Sequence, residues 1–141
     1  MKLTIIVIDG MGGGIGVELI SRLKEVVNKD AEIIALGTNA VATERMVKAG
    51  ANRGATGENA IKTTAPTGHF IFGPIGIVIN NSMLGEITQT MTSAILTAPG
   101  ERILLPLQNE HFYLAGLDPI PLSKVMDKAV ELFKERLKLK K

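Results

Sequence analysis

The residues best suited to chemistry stand together near the start of the chain, in Asp9-Gly10-Met11-Gly12-Gly13-Gly14-Ile15-Gly16, which holds five of the 15 glycines. The spacing is G-x-x-x-G-x-G and it follows an apolar run, Ile5-Ile6-Val7-Ile8. Each glycine has a task in a phosphate or nucleotide site: Gly10 allows a tight turn off a strand, Gly14 lets backbone approach a phosphate, and Gly16 lets the next helix pack closely. Free N–H groups at the helix start would hold the anion. Asp9, Gly10, Met11, Gly12, Gly13, Gly14 and Ile15 are therefore expected to contact a bound nucleotide. A carboxylate beside a phosphate is repulsive unless it takes a ribose hydroxyl, a cation or the loop's own N–H groups. Bracing the loop is the expected task of Asp9.

A second group of candidates lies where other strands should end. Gly37-Thr38-Asn39 follows the run Ile33-Ile34-Ala35-Leu36, and Gly73-Pro74-Ile75 follows Phe70-Ile71-Phe72. Open parallel sheets bind ligands outside the carboxyl ends of their strands. That rule adds Thr56, Glu58, Asn59, Asn80, Asn81, Ser82, Glu86 and the run from Gln108 to His111 as ligand-contact candidates. Glu58 or Glu86, with an asparagine or His111, is the available acid–base chemistry, and His111 is the natural proton carrier because histidine titrates near neutrality.

Several classes are excluded by what is missing. The loop spacing is that of the short-chain dehydrogenase turn, yet the only tyrosine, Tyr113, is followed four residues later by Leu117 rather than lysine. The second strand ends without the acid that binds a ribose in nicotinamide-cofactor domains, and Asn39 could bond a hydroxyl only less distinctively. There is no cysteine, which excludes disulfides and thiolate chemistry. The two histidines, His69 and His111, lie far apart, so no metal site is expected. Neither a nucleophile elbow nor a Walker lysine is present.

The elements that must position these residues follow from periodicity. Leu3 to Ile8 reads as a strand buried on both faces, the central one of a parallel sheet. Ile15, Leu19 and Leu23 fall on one helical stripe, followed by a second strand over 32–36 and a helix from Thr38 or Asn39 to Gly50. The stretch 50–68 is small, polar and without period, and is expected to be either a ligand-covering loop with one helical turn from Glu58 or an irregular edge segment. A strand over 69–72, a helix from Ser82 carrying Met83, Ile87, Met91 and Ile95, and a strand over 102–107 come next. Phe112 to Leu117 is expected to add an antiparallel edge strand, and a last amphipathic helix starts at Ser123. The prediction is an α/β fold: a Rossmann-like open, mostly parallel sheet with helices on both faces, as one nucleotide-binding or phosphate-binding domain over 1–141.

Composition narrows the partners. The net charge is +2 and aromatics are 4%, too little of either for a nucleic-acid face. The Lys138–Lys141 tail reads as a solvated helix end. No apolar run reaches the roughly 18 residues of a membrane span and no cleavage site follows the start, so a cytoplasmic chain without membrane partners is expected. Hydrophobic residues are 45%, which points to a full core and an apolar homo-oligomer face.

Five motifs, Ile8-Asp9-Gly10-x-Gly12-Gly13-Gly14-Ile15-Gly16, Ala35-Leu36-Gly37-Thr38-Asn39-Ala40, Gly54 to Ala60, Gly73-Pro74-Ile75-Gly76-Ile77 and Ser82 to Ile87, together resemble a small bacterial family known only as a domain of unknown function. That resemblance implies a Rossmann-like fold and brings no activity. Two functions are compatible with the sequence: binding of a nucleotide, a dinucleotide of the NAD(P) type or another phosphorylated small molecule, and a non-catalytic regulatory or assembly subunit without cofactor.

Overall fold

The computed structural model describes residues 2–107 and 112–140. Its elements, in chain order, are β1 (Thr4–Asp9), α1 (Gly14–Val26), β2 (Glu32–Gly37), α2 (Ala40–Lys48), β3 (Arg53–Thr56), α3 (Glu58–Thr64), β4 (Phe70–Pro74), α4 (Gln89–Thr97), β5 (Glu101–Leu105) and α5 (Leu122–Leu139), with 3-10 turns at Ala65–Thr67 and Ile75–Val78. The strands form one sheet in the order β3-β2-β1-β4-β5, every pair parallel. The fold is α/β and Rossmann-like, with β1 at its centre. Strand order reverses between β1 and β4, which makes the space above their carboxyl ends the switch point.

Period-two alternation divides the core between the two faces. Ile5, Val7, Ile33, Ala35, Phe70 and Phe72 point to a layer made by α1, α2 and α5, through Leu19, Leu23, Met46, Met126 and Phe133. Ile6, Ile8, Ile34, Leu36 and Ile71 point to α3 and α4, through Ile61, Met91 and Ile95. Phe133 of α5 meets Phe70 and Phe72 edge-on, with ring centroids 5.0 and 5.6 Å away. Each such pair adds about 0.5–1.5 kcal/mol beyond area burial, so α5 is fastened over β4 and β5.

Four expectations are corrected. The stretch 50–68 is no open loop but an edge segment, and a regular one: Arg53–Thr56 pairs with β2 as the edge strand β3, and the turn expected from Glu58 is the helix Glu58–Thr64. The fourth helix begins at Gln89 rather than near Ser82, because Thr88 is its cap, accepting from the Met91 N–H. Met83 and Ile87 do pack toward the core, from a turn. Among the described residues no antiparallel edge strand exists; Phe112 is an isolated bridge residue, and the Pro119 and Pro121 region is irregular. The last helix starts at Leu122 with Pro121 before it, so Ser123 is not its cap. Asn39 does cap α2, accepting from the Ala42 N–H at 2.9 Å. Among the described residues no helix is long and apolar enough to cross a membrane.

Candidate functional site

The glycine loop joins β1 to α1, and its shape is set by a buried carboxylate. Asp9 is 4% exposed. Its Oδ1 accepts the Gly10 N–H and its Oδ2 the Gly16 N–H, each at 2.8 Å. The Ile15 N–H is directed at the same carboxylate. Burial raises the Asp9 pKa above the ordinary aspartate value, the three N–H groups oppose that, and the charge of Glu86 adds to the rise. Asp9 therefore braces the loop, and it uses two first-turn amides of α1 that would otherwise face an anion.

The glycines divide by what surrounds them. Gly13 is left-handed at φ 76 with Ala42 Cα 3.0 Å from where a Cβ would stand, and a Cβ on Gly16 would lie 3.0 Å from Met46 Cγ and 3.1 Å from Asp9 Cβ. Both are demanded by packing of α1 on α2. At Gly14 a Cβ would meet nothing within 4 Å. The N–H groups of Gly12 and Gly14 make no protein hydrogen bond among the described residues.

A second carboxylate reaches the loop from the other side. Glu86, in the segment between β4 and α4, accepts at Oε1 from the Met11 N–H at 2.8 Å, from Asn39 Nδ2 at 3.0 Å and from the Thr38 hydroxyl. These donors, the Thr38 hydroxyl foremost, hold its pKa below the ordinary glutamate value. Asn39 also donates to the Met11 carbonyl at 2.9 Å, and Arg45 donates to the Gly12 carbonyl.

Beside the loop, over the ends of β1 and β4, lies a cleft of about 680 Å³. Residues Asp9 to Ile15 form one wall, with Glu18 one turn further along α1. Pro74 and Met83 form the floor, and Leu107 with Leu122 and Ser123 of α5 the far wall. Arg22 pins the two helices behind it, binding Glu18 at 3.0 Å, the Ser123 carbonyl at 3.2 Å and the Asp127 carboxylate. Among the described residues the cleft thus offers largely apolar walls, two amides without a protein partner and no lysine or arginine in its lining.

The structure gathers only some of the predicted residues here. Asp9 to Ile15 and Pro74 line the cleft. Gly73 is instead packed against Ile77, whose Cδ1 would lie 2.7 Å from a Cβ, and Ile75 enters the 3-10 turn. Gly37 is crowded by the Thr43 backbone, and Thr38 and Asn39 are tied to Glu86. The Thr56 hydroxyl donates to Thr43 at 2.8 Å. Glu58 and Asn59 open α3, away from the cleft. Asn80 and Asn81 are exposed, and the Ser82 hydroxyl donates to the Gly76 carbonyl. His111, with Gln108, Asn109 and Glu110, lies outside the described residues. Glu18, Met83, Leu107, Leu122 and Ser123 escaped the sequence reading as site residues. Glu18 alone carried a signal, being four residues after Gly14; the others reach the cleft only through topology.

The fold and the cleft at its switch point together define a Rossmann-like class of α/β domain. Over residues 4–138 the chain matches the family described as Domain of unknown function (DUF3842), and it belongs to that family. The sequence matches none of the curated proteins. Among solved structures it is similar to a dodecameric FMN-dependent UbiX-like decarboxylase from Escherichia coli O157:H7, at 16% identity and a TM-score of 0.44, over 96% of this chain and 76% of that one.

Proposed function

We propose that this chain binds a nucleotide or a comparable phosphorylated small molecule in the switch-point cleft. The observation that carries the reading is Gly14, which is open to the cleft at the amino end of α1 and keeps its N–H, and that of nearby Gly12, unspent. A phosphate there would take both amides, and a planar ring would lie against Ile15, Met83, Leu107 and Leu122.

The reading is one of binding rather than turnover. Asp9 and Glu86 are both saturated by structural donors, so neither is free to move a proton. That observation favours a regulatory subunit whose bound ligand changes its state. The homo-oligomer belongs to the same proposal, through the exposed Tyr113, Leu117 and Ile120. Thermal-shift titration with AMP, FMN, NAD, NADP and sugar phosphates tests the binding reading. A rise in melting temperature with one of them is expected, and none at millimolar concentration overturns it.

A further inference from the structure

Dinucleotides in parallel α/β sheets straddle the glycine loop, with one nucleoside on each side of it. Here the side toward β2 is filled. Above Gly10, Met83 Sδ and Glu86 Oε1 stand 2.8 and 2.9 Å from where a Cβ would be, so only hydrogen fits. Glu86 Oε1 joins the Met11 amide to Thr38 and Asn39, the two residues that follow β2. The carboxylate missing from the end of β2 in sequence thus arrives in space from 49 residues beyond Gly37, read from the numbering.

The segment that brings it is built to do so. The Asn81 N–H donates to the Ile87 carbonyl at 2.8 Å, and the Glu86 N–H to the Met83 carbonyl at 3.1 Å. Asn81, Met83 and Leu84 take left-handed φ values of 70, 57 and 56°, and Gly85 takes 89°. Left-handed backbone is costly for methionine and leucine, and buried Ile87 anchors the turn that enforces it. We infer that Glu86 latches the glycine loop to the end of β2, closing that half of the crevice, and so restricts the site to ligands with a single nucleoside. The inference rests on the nucleotide reading above. Electrostatics act in the same direction: a diphosphate crossing Gly10 and Met11 would meet two carboxylates and an amide already spent.

The test compares the native chain with Glu86→Ala and the isosteric Glu86→Gln. Calorimetric titration with AMP, FMN, NAD and FAD is combined with hydrogen exchange at the Met11 amide. The native chain should bind AMP or FMN at least about tenfold more tightly than either dinucleotide, and Glu86→Ala should shrink that preference by about fivefold or more. The Met11 amide should exchange about tenfold or more faster in Glu86→Ala, and Glu86→Gln, which keeps an acceptor, should fall between. Equal native affinity for a mononucleotide and a dinucleotide overturns the restriction, as does a preference unchanged in both variants. A Met11 amide that exchanges in the native chain as fast as in Glu86→Ala overturns the latch whatever binds. If no ligand binds while Met11 is protected as expected, the nucleotide reading falls and the latch stands.

Discussion

The two sides of the glycine loop are made of the same backbone and behave as opposites. Toward β2 the space is polar, filled and bonded, with Glu86, Asn39 and Arg45 using the loop's groups from Met11 and Gly12 and Thr38 holding Glu86 in place. Toward β4 and α5 it is apolar and open, with Gly14 facing empty volume. A glycine-rich turn is therefore no uniform anion receptor. What it can hold depends on which amides internal carboxylates have already taken.

The largest effect is expected at the brace common to both sides. Asp9→Ala removes the acceptor of buried N–H groups, each costing about 1–3 kcal/mol when left unmade, so a loss of about 2–4 kcal/mol should appear in urea denaturation. Next comes the packing glycine: Gly16→Ala drives a methyl against Met46 and Asp9 and should cost about 1–3 kcal/mol, read the same way. Gly14→Ala sharpens the contrast. With nothing within 4 Å of the new methyl, stability should move by less than about 0.5 kcal/mol, whereas affinity for a cleft ligand should fall about tenfold or more. Equal losses of stability in the two glycine variants would erase the distinction between the sides.

Acidity separates the two carboxylates. Glu86 has its folded pKa lowered, so its contribution is present above the unfolded glutamate value, about 4.3, and is lost as pH falls through the lower folded value. Asp9 has its folded pKa raised, so its protonation-linked contribution runs the other way, present below the unfolded value, where the carboxyl is neutral, and lost as pH rises through the folded one. The stability difference between the native chain and Glu86→Gln should therefore be largest near neutrality, on the order of 0.5–1 kcal/mol for this half-exposed group. It should shrink in acid. A difference that grew as pH fell would contradict the latch.

Much of this was legible in sequence, for reasons that particular residues make plain. β1, α1, β2 and α2 announced themselves because a doubly buried strand is a continuous apolar run, and Gly13 and Gly50 stand where positive φ is needed, at 76 and 128°. Arg53-Gly54-Ala55-Thr56 did not, because a four-residue edge strand paired on one side only has no buried pattern to display. Met83 and Ile87 misled because spacing of four is what a helix produces, yet here a left-handed turn brings both inward. The cleft's near wall was readable as a motif. Its far wall was not, since Leu107 and Leu122 are ordinary leucines until α5 folds back across β4, and the meaning of Glu86 depended on a contact 75 residues away in sequence.

Arg22 and Ser123, which meet behind the cleft, are 101 residues apart. That separation has a consequence in time. During synthesis the glycine loop leaves the ribosome long before the helix that faces it, and contacts so distant along the chain are slow to close. The cleft is thus finished late, after β1, α1 and β2 can already have paired. In reverse, partial unfolding that releases α5 would abolish the cleft while leaving the glycine loop braced by Asp9, a species able to regain the cleft by a single docking step.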